Sequence, residues 1–247
     1  DVYKRQQADN ALSNLQSVTG DSALVSNVYG SFAVDTVAGS AIGNSTVSVS
    51  NNSQRASSVA NTATNTLGVT ATNLAATSAL ASQQSSTASV AASSDAELYA
   101  PGAVSGSSVA LANNRNVSLG VINDATNALT VTAGNATPVG ATTNAVLNAG
   151  GATGDHVLSN SQAASTSVAS TASTRLYNQD RVATATTGLV DSTFSITGNA
   201  TTAEASANRA DNSVTLSGAA LQGSNAGLSN AQTSSAAVNA TSSTAAG

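Results

Sequence analysis

The chain has 247 residues and a formal net charge of −5, with 8% charged residues, 2% aromatic residues and no cysteine. So few basic residues exclude the dense positive patch that a nucleic-acid backbone requires. The lack of cysteine excludes disulfides and thiolate metal sites, and no apolar run approaches the roughly 20 residues of a membrane-spanning helix.

The first six residues, Asp-Val-Tyr-Lys-Arg-Gln, resemble the translation of an adapter used in transposase-based sequencing libraries. We therefore expect residues 1–6 to be a non-native scar. Residues 7–247 have one composition throughout, rich in Ala, Ser, Thr and Asn, and we treat them as a single domain.

A degenerate repeat of about 31 residues runs through this domain. Its aliphatic anchors follow one another at intervals of 31, 31, 47, 38 and 32 residues: Val49, Leu80, Leu111, Leu158, Ile196 and Leu228. Ten residues after the anchors stand Val59, Val90, Val121, Val168, Ser206 and Val238, and eighteen after them Leu67, Leu98, Leu129, Leu176, Val214 and Ala246. Aliphatic residues at fixed offsets indicate stacked, equivalent turns, so we expect the anchors to be buried, with successive anchors in adjacent coils. A weaker copy begins at Leu12 and ends at Tyr29.

Each unit predicts short strands separated by turns. Apolar and polar residues alternate around the anchors and around the third column, which is typical of strands with one inward face. Two residues after the anchors stand residues that tolerate turns: Asn51, Ser82, Asn113, Asn160, Gly198 and Asn230. The sequence therefore predicts an all-β fold, a parallel β-solenoid of six to seven three-faced coils with about 31 residues each. A division of each 31-residue unit into two coils stays open.

Two longer intervals between anchors predict insertions. The 47- and 38-residue intervals exceed the repeat by 16 and 7 residues. Glycine and proline gather in the first of these regions. We expect loops at 132–155 and 178–191, because solenoids accommodate extra residues outside the wall.

Residues that could carry chemistry are few. His156 is the only histidine, so a Ser-His-Asp arrangement would have to use it, and it stands at the strand position that Val47, Val109 and Phe194 hold in other segments. The acids share no repeat column, and Gly150 to Asp155 matches a calcium-binding repeat only in part. We therefore predict no catalytic, cofactor-binding or metal-binding residues, and no enzyme.

Pairs of threonines separated by one residue resemble the flat threonine arrays of ice-binding solenoids: Thr62/Thr64, Thr70/Thr72, Thr130/Thr132 and Thr184/Thr186. The equivalent positions of other segments carry Ser, Ala or Asn. This pattern keeps ice binding open as an alternative function.

Cysteine-free runs such as Val34 to Ser45, together with Leu-Ser-Asn-x-Gln and Ser-Val-Ala elements, resemble the repeat-rich surface adhesins of Gram-negative bacteria. The resemblance is closest to the holdfast-anchor proteins of stalked alphaproteobacteria. It implies a non-enzymatic adhesin or anchoring stalk outside the cell, with the cell surface or an extracellular polysaccharide as partner. We also expect end-to-end self-association through strand edges, and the alternative function is an ice-binding or carbohydrate-binding solenoid.

Overall fold

The structure, a computed structural model, describes residues 8–37, 40–139, 154–181 and 188–247. All the regular secondary structure in these ranges is β-strand, which confirms the all-β prediction. In chain order the strands are β1 (Asn10–Val18), β2 (Leu24–Ala33), β3 (Ile42–Gly43), β4 (Thr46–Ser50), β5 (Ser53–Leu74), β6 (Ser78–Ser86), β7 (Val90–Tyr99), β8 (Val104–Ser105), β9 (Ser108–Ala112), β10 (Arg115–Ala136), β11 (His156–Ala164), β12 (Val168–Tyr177), β13 (Leu189–Val190), β14 (Thr193–Thr197), β15 (Ala200–Ala220), β16 (Ala226–Ser234) and β17 (Val238–Ala246).

These strands pair in parallel and form five sheets. The longest strands, β5, β10 and β15, form a sheet that we call the long wall. The sheets β1-β6-β11-β16 and β2-β7-β12-β17 pack against it side by side, and we call them together the split wall. Two short sheets, β3-β8-β13 and β4-β9-β14, lead the chain from the split wall back to the long wall. The chain is therefore a parallel β-solenoid, as the sequence predicts.

One coil contains five strands, so the prediction of 31 residues per coil is wrong. Residues that stack in neighbouring coils lie 62, 68, 70, 78 or 85 positions apart. Strands β1–β5, β6–β10 and β11–β15 make three coils, and β16 and β17 begin a fourth. The prediction of six to seven three-faced coils is wrong for the same reason, because each repeat unit supplies only half a coil.

The two halves of a coil resemble each other because both need aliphatic residues at the same offsets. Leu80 pairs with Leu158, whereas Leu111 pairs with Val49, so neighbouring anchors belong to different sheets. The aliphatic residue eighteen positions after one anchor packs on the next anchor: Leu129 shares a cluster with Leu158, and Leu98 shares one with Leu111. The same packing contact is thus made at both ends of the coil, which gives both halves one pattern.

Burial of the anchors depends on their place in the stack. Four anchors are buried: Val49, Leu80, Leu111 and Leu158. Ile196 is 41% exposed and Leu228 is 48% exposed. They lie on β14 and β16, beyond which the described residues provide no further strand, whereas Val49 is buried on β4 at the opposite end of the stack. The prediction of buried anchors is confirmed for four and wrong for these two.

The predicted turn column also divides between the two halves. Asn51, Asn113 and Gly198 have positive φ of 58°, 57° and 65° and turn the chain into the long wall. The other three members, Ser82, Asn160 and Asn230, lie inside β6, β11 and β16, where a turn was expected. Asparagine at the same repeat position thus forms a turn in one half of the coil and lies within a strand in the other half.

The strand bounds narrow the predicted loops. Residues 132–136 belong to β10, and Leu189–Val190 forms β13, so these parts of the predicted loops 132–155 and 178–191 are in the wall. Residues 140–153 and 182–187, like residues 1–7, lie outside the described residues. The weaker first copy is correct at Leu12, which pairs with Leu80, and wrong at Tyr29, because Tyr29 pairs with Asp95 and not with Tyr99.

Ladders of buried amides fill the middle of the interior, between the aliphatic clusters. Asn61 Nδ2 donates to Asn123 Oδ1 at 2.8 Å, and Asn123 Nδ2 donates to Asn208 Oδ1 at 2.7 Å. A parallel ladder joins Asn65, Asn127 and Asn212 at 2.7 Å per step. A glutamine ladder crosses all four coils through Gln16, Gln84, Gln162 and Gln232. Because each amide both donates and accepts along the stack, a polar interior is satisfied without bulky side chains.

Candidate functional site

His156 lies at the start of β11 with 1% of its surface exposed. Its Nε2 is 3.4 Å from Ser224 Oγ, while its Nδ1 is buried and has no hydrogen-bond partner among the described residues. Burial lowers the pKa of this imidazole, and the neighbouring Asp155 opposes that effect only in part. A catalytic base needs an orienting partner on the second nitrogen and access to substrate. In the part of the chain that the structure describes, His156 has no such orienting partner, and its ring is buried.

The acidic residues hold corners of the solenoid together. Asp180 accepts hydrogen bonds from the backbone nitrogens of Thr36 at 2.7 Å and Gly102 at 3.0 Å, so one carboxylate ties three coils. Asp155 accepts from the backbone nitrogen of Asn225 at 3.2 Å. Among the described residues no three acids or histidines are grouped to hold a metal ion.

One outer surface combines aromatic and charged side chains. It lies on the second half of the split wall, and we call it the tyrosine cluster: Tyr29, Asp95, Glu97, Tyr99, Arg175 and Tyr177. Glu97 is its centre. Its Oε2 accepts from the Tyr29 hydroxyl at 2.5 Å and the Tyr99 hydroxyl at 3.0 Å, and its Oε1 accepts from Arg175 at 3.1 Å.

The electrostatics of the tyrosine cluster follow from this shared carboxylate. The hydrogen bond from Tyr29 lowers the pKa of Glu97, and the same bond raises the pKa of Tyr29. Burial, assisted by Glu97, raises the pKa of Tyr99 to about 12. Tyr99 and Tyr177 stack with ring centroids 4.7 Å apart, while Tyr29 is 64% exposed. The cluster therefore offers an exposed ring beside fixed charges.

A second surface is the outer side of the long wall. Over five successive outward positions its three strands present Thr62/Asp124/Arg209, Thr64/Thr126/Asp211, Thr66/Ala128/Ser213, Gly68/Thr130/Thr215 and Thr70/Thr132/Ser217. We call this grid the threonine face. Eight of its fifteen positions are threonine, against 31 of the 247 residues in the chain. All eight of these threonines are exposed.

The sequence pattern found only part of this face. Thr62/Thr64, Thr70 and Thr130/Thr132 come together as expected of an array, whereas Thr72 lies where the pairing of β5 with β10 skips a residue. Thr184 and Thr186 lie outside the described residues. Thr66, Thr126 and Thr215 were missed because their place on the face depends on register across 62 and 85 residues.

A shallow groove of about 380 Å³ follows the junction between the two halves of the split wall. It is lined by small side chains: Ser85, Ser86, Thr87, Ala163, Ala164, Ser165, Thr233, Ser234 and Ser235. Ser86 Oγ donates to Ala88 O at 3.2 Å, so hydroxyls here stabilise the bend of the wall.

No family model matches the chain, and no curated protein or solved structure gives a match. Within the described ranges no helix is long and apolar enough to cross a membrane.

Proposed function

We propose that this chain is a non-enzymatic structural and adhesive protein of the outer cell surface, an adhesin or anchoring stalk. The observation that carries the proposal is the pair of continuous systems along the stack, the parallel backbone pairing and the buried amide ladders. Both continue from coil to coil along the axis of the stack. A rod built this way resists bending and separation of its coils, which a stalk requires.

The partner that fits this role is a cell surface or an extracellular polysaccharide. The resemblance to surface adhesins of Gram-negative bacteria favours an exported protein, and the net charge of −5 disfavours nucleic acid as a partner. The walls are long and hydroxyl-rich, so contact with a polymer would be spread over many weak hydrogen bonds.

The test is retention of cells under flow. The chain is displayed on a bacterium that does not adhere by itself, over glass coated with bacterial extracellular polysaccharide. Cells that carry the chain should stay bound at shear that removes the host alone. A chain with Asn123→Leu and Asn127→Leu, displayed at the same level, should retain fewer cells because two ladders are broken. Equal retention of the host with and without the intact chain would refute the proposal.

A second candidate, carbohydrate binding, is favoured by the tyrosine cluster. An exposed tyrosine beside carboxylates and an arginine suits a sugar, which stacks on a ring and bonds to charged groups. Calorimetric titration with soluble oligosaccharides tests it. Tyr29→Ala should abolish the binding heat, and Tyr177→Ala should reduce it. An unchanged binding heat with Tyr29→Ala would exclude the tyrosine cluster as the carbohydrate-binding site.

A further inference from the structure

We propose that the threonine face binds ice. The grid repeats in two directions, about 4.8 Å from strand to strand and about 6.6 Å between successive outward residues of one strand. Each threonine places one hydroxyl and one methyl group at such a point. A partner that recognises this surface must itself repeat hydrogen-bonding groups in two directions, as the water molecules in a crystal of ice do.

The face is fixed from below. Asn61, Asn65 and their counterparts in β10 and β15 alternate with Thr62, Thr64 and Thr66 along the strands and point into the interior. Their ladder bonds of 2.7 to 2.8 Å hold β5, β10 and β15 at constant separation. A parallel sheet held at even spacing keeps its outer hydroxyls in rows before any ligand arrives, and this lowers the cost of ordering them on binding.

The hydroxyls of the face are available to water. Among the described residues Thr132 is the one threonine of the grid whose side chain bonds to another, with Ser217 Oγ at 3.2 Å. Thr64, Thr126 and Thr130 are all exposed. Hydroxyls at fixed positions therefore hold water molecules in the pattern of the grid, and the methyl groups between them restrict where that water can lie.

The charge distribution distinguishes ice from a charged polymer. Asp124, Arg209 and Asp211 all lie at one end of the grid, in the positions aligned with Thr62 and Thr64. The remaining three positions along each strand carry only Thr, Ser, Ala and Gly. An extended neutral surface gives a polyanion or polycation nothing to pair with, whereas an uncharged, periodic solid fits it.

The proposal goes beyond the adhesive function and uses a different wall from the tyrosine cluster. Purified chain is tested for thermal hysteresis, inhibition of ice recrystallisation and partition into a growing ice hemisphere. The wild-type chain should shape ice crystals and enter the hemisphere. Thr130→Tyr, at the centre of the neutral part, should reduce the hysteresis at least about tenfold, because one large ring holds the grid away from the crystal.

Thr171→Tyr is the matched control, since Thr171 is an exposed threonine on the split wall. It should keep full activity. Thr66→Tyr serves as a second variant, and circular dichroism of each protein reports whether the β-structure is intact. A wild-type chain that neither shapes nor enters ice would overturn the proposal, as would equal loss in Thr130→Tyr and Thr171→Tyr, or full activity in folded Thr130→Tyr and Thr66→Tyr. Cell retention under flow is measured separately, so failure here leaves the adhesive function intact and the reverse also holds.

Discussion

Replacing Asn123 by alanine should destabilise the solenoid by about 3 kcal/mol. Asn123 is fully buried and takes part in three hydrogen bonds, donating to Ala163 O at 3.0 Å and to Asn208 Oδ1 at 2.7 Å while accepting from Asn61 Nδ2. Each broken bond that leaves a buried partner unsatisfied costs about 1 kcal/mol or more. Water reaches the half-buried Asn208 and limits its share of the loss.

The measurement is equilibrium unfolding in urea, followed by circular dichroism. The same strand offers a matched control in Asn135, which also donates from its amide to an asparagine one coil away, Asn73 Oδ1 at 2.9 Å, but at the surface. Asn135→Ala should change the free energy of unfolding by less than about 0.5 kcal/mol. Equal effects of the two substitutions would refute the reasoning, since the Asn123 side chain is buried with three hydrogen bonds whereas the Asn135 side chain is exposed with one.

Three other predictions concern the core, the histidine and the ends. Leu111→Ala should cost about 2–5 kcal/mol in urea unfolding as a core cavity, whereas Leu228→Ala should cost about 1 kcal/mol because that anchor is 48% exposed. Burial holds the folded-state pKa of His156 below its usual 6.5, so the unfolded chain binds more protons and stability should fall as pH drops below about 6.5. His156→Ala should remove this acid arm from a series of melts; an unchanged pH dependence would contradict it. Light scattering should show end-to-end association that grows with concentration and changes little with salt, since the last strand of each sheet has a neighbour on one side only and β17 carries no charge or proline to blunt its edge. A strict monomer at high concentration would contradict this last expectation.

The sequence predicts the strands well because alternation is local. Val47 to Ser50, Val109 to Ala112 and Phe194 to Thr197 are all strands, as their period-two pattern indicates. Parallel stacking also follows from the repeat, because equivalent segments at a constant offset can pair only in the same direction.

The coil period could not be taken from the aliphatic columns, because both halves of a coil satisfy the same packing contact. The closest matches in the sequence nevertheless lie one full coil apart. Asn61 to Val69 returns as Asn123 to Val131, and Leu80 to Tyr99 returns as Leu158 to Tyr177, and these segments are the paired strands. The polar residues distinguish a full coil from half a coil, since an amide ladder requires the same side chain in each coil whereas an aliphatic cluster accepts any of several aliphatic residues.

The two candidate surfaces show the limit of reasoning from spacing. Tyr99 and Tyr177 share a column, so their stacking follows from the repeat. Tyr29 comes from another column: it pairs with Asp95, and its long side chain reaches Glu97 at the next outward position of the neighbouring strand. A contact that depends on the length of a side chain does not repeat in the sequence, so spacing cannot predict it. The threonine face, in contrast, follows entirely from the register in which β5, β10 and β15 pair.

The amide ladders also explain how a chain with 2% aromatic residues forms a fixed interior. Alanine, serine and asparagine bury little apolar surface per residue, so hydrophobic burial of the middle section contributes less than in an ordinary core. Ladders of Asn and Gln replace it with hydrogen bonds that are satisfied only when every coil is in register. A slip of one residue would turn Asn61, Asn65 and Gln84 outward and leave their partners buried without bonds. The composition that makes the chain look featureless is therefore what fixes its register, and a fixed register is what aligns the threonines on the outer side of the long wall.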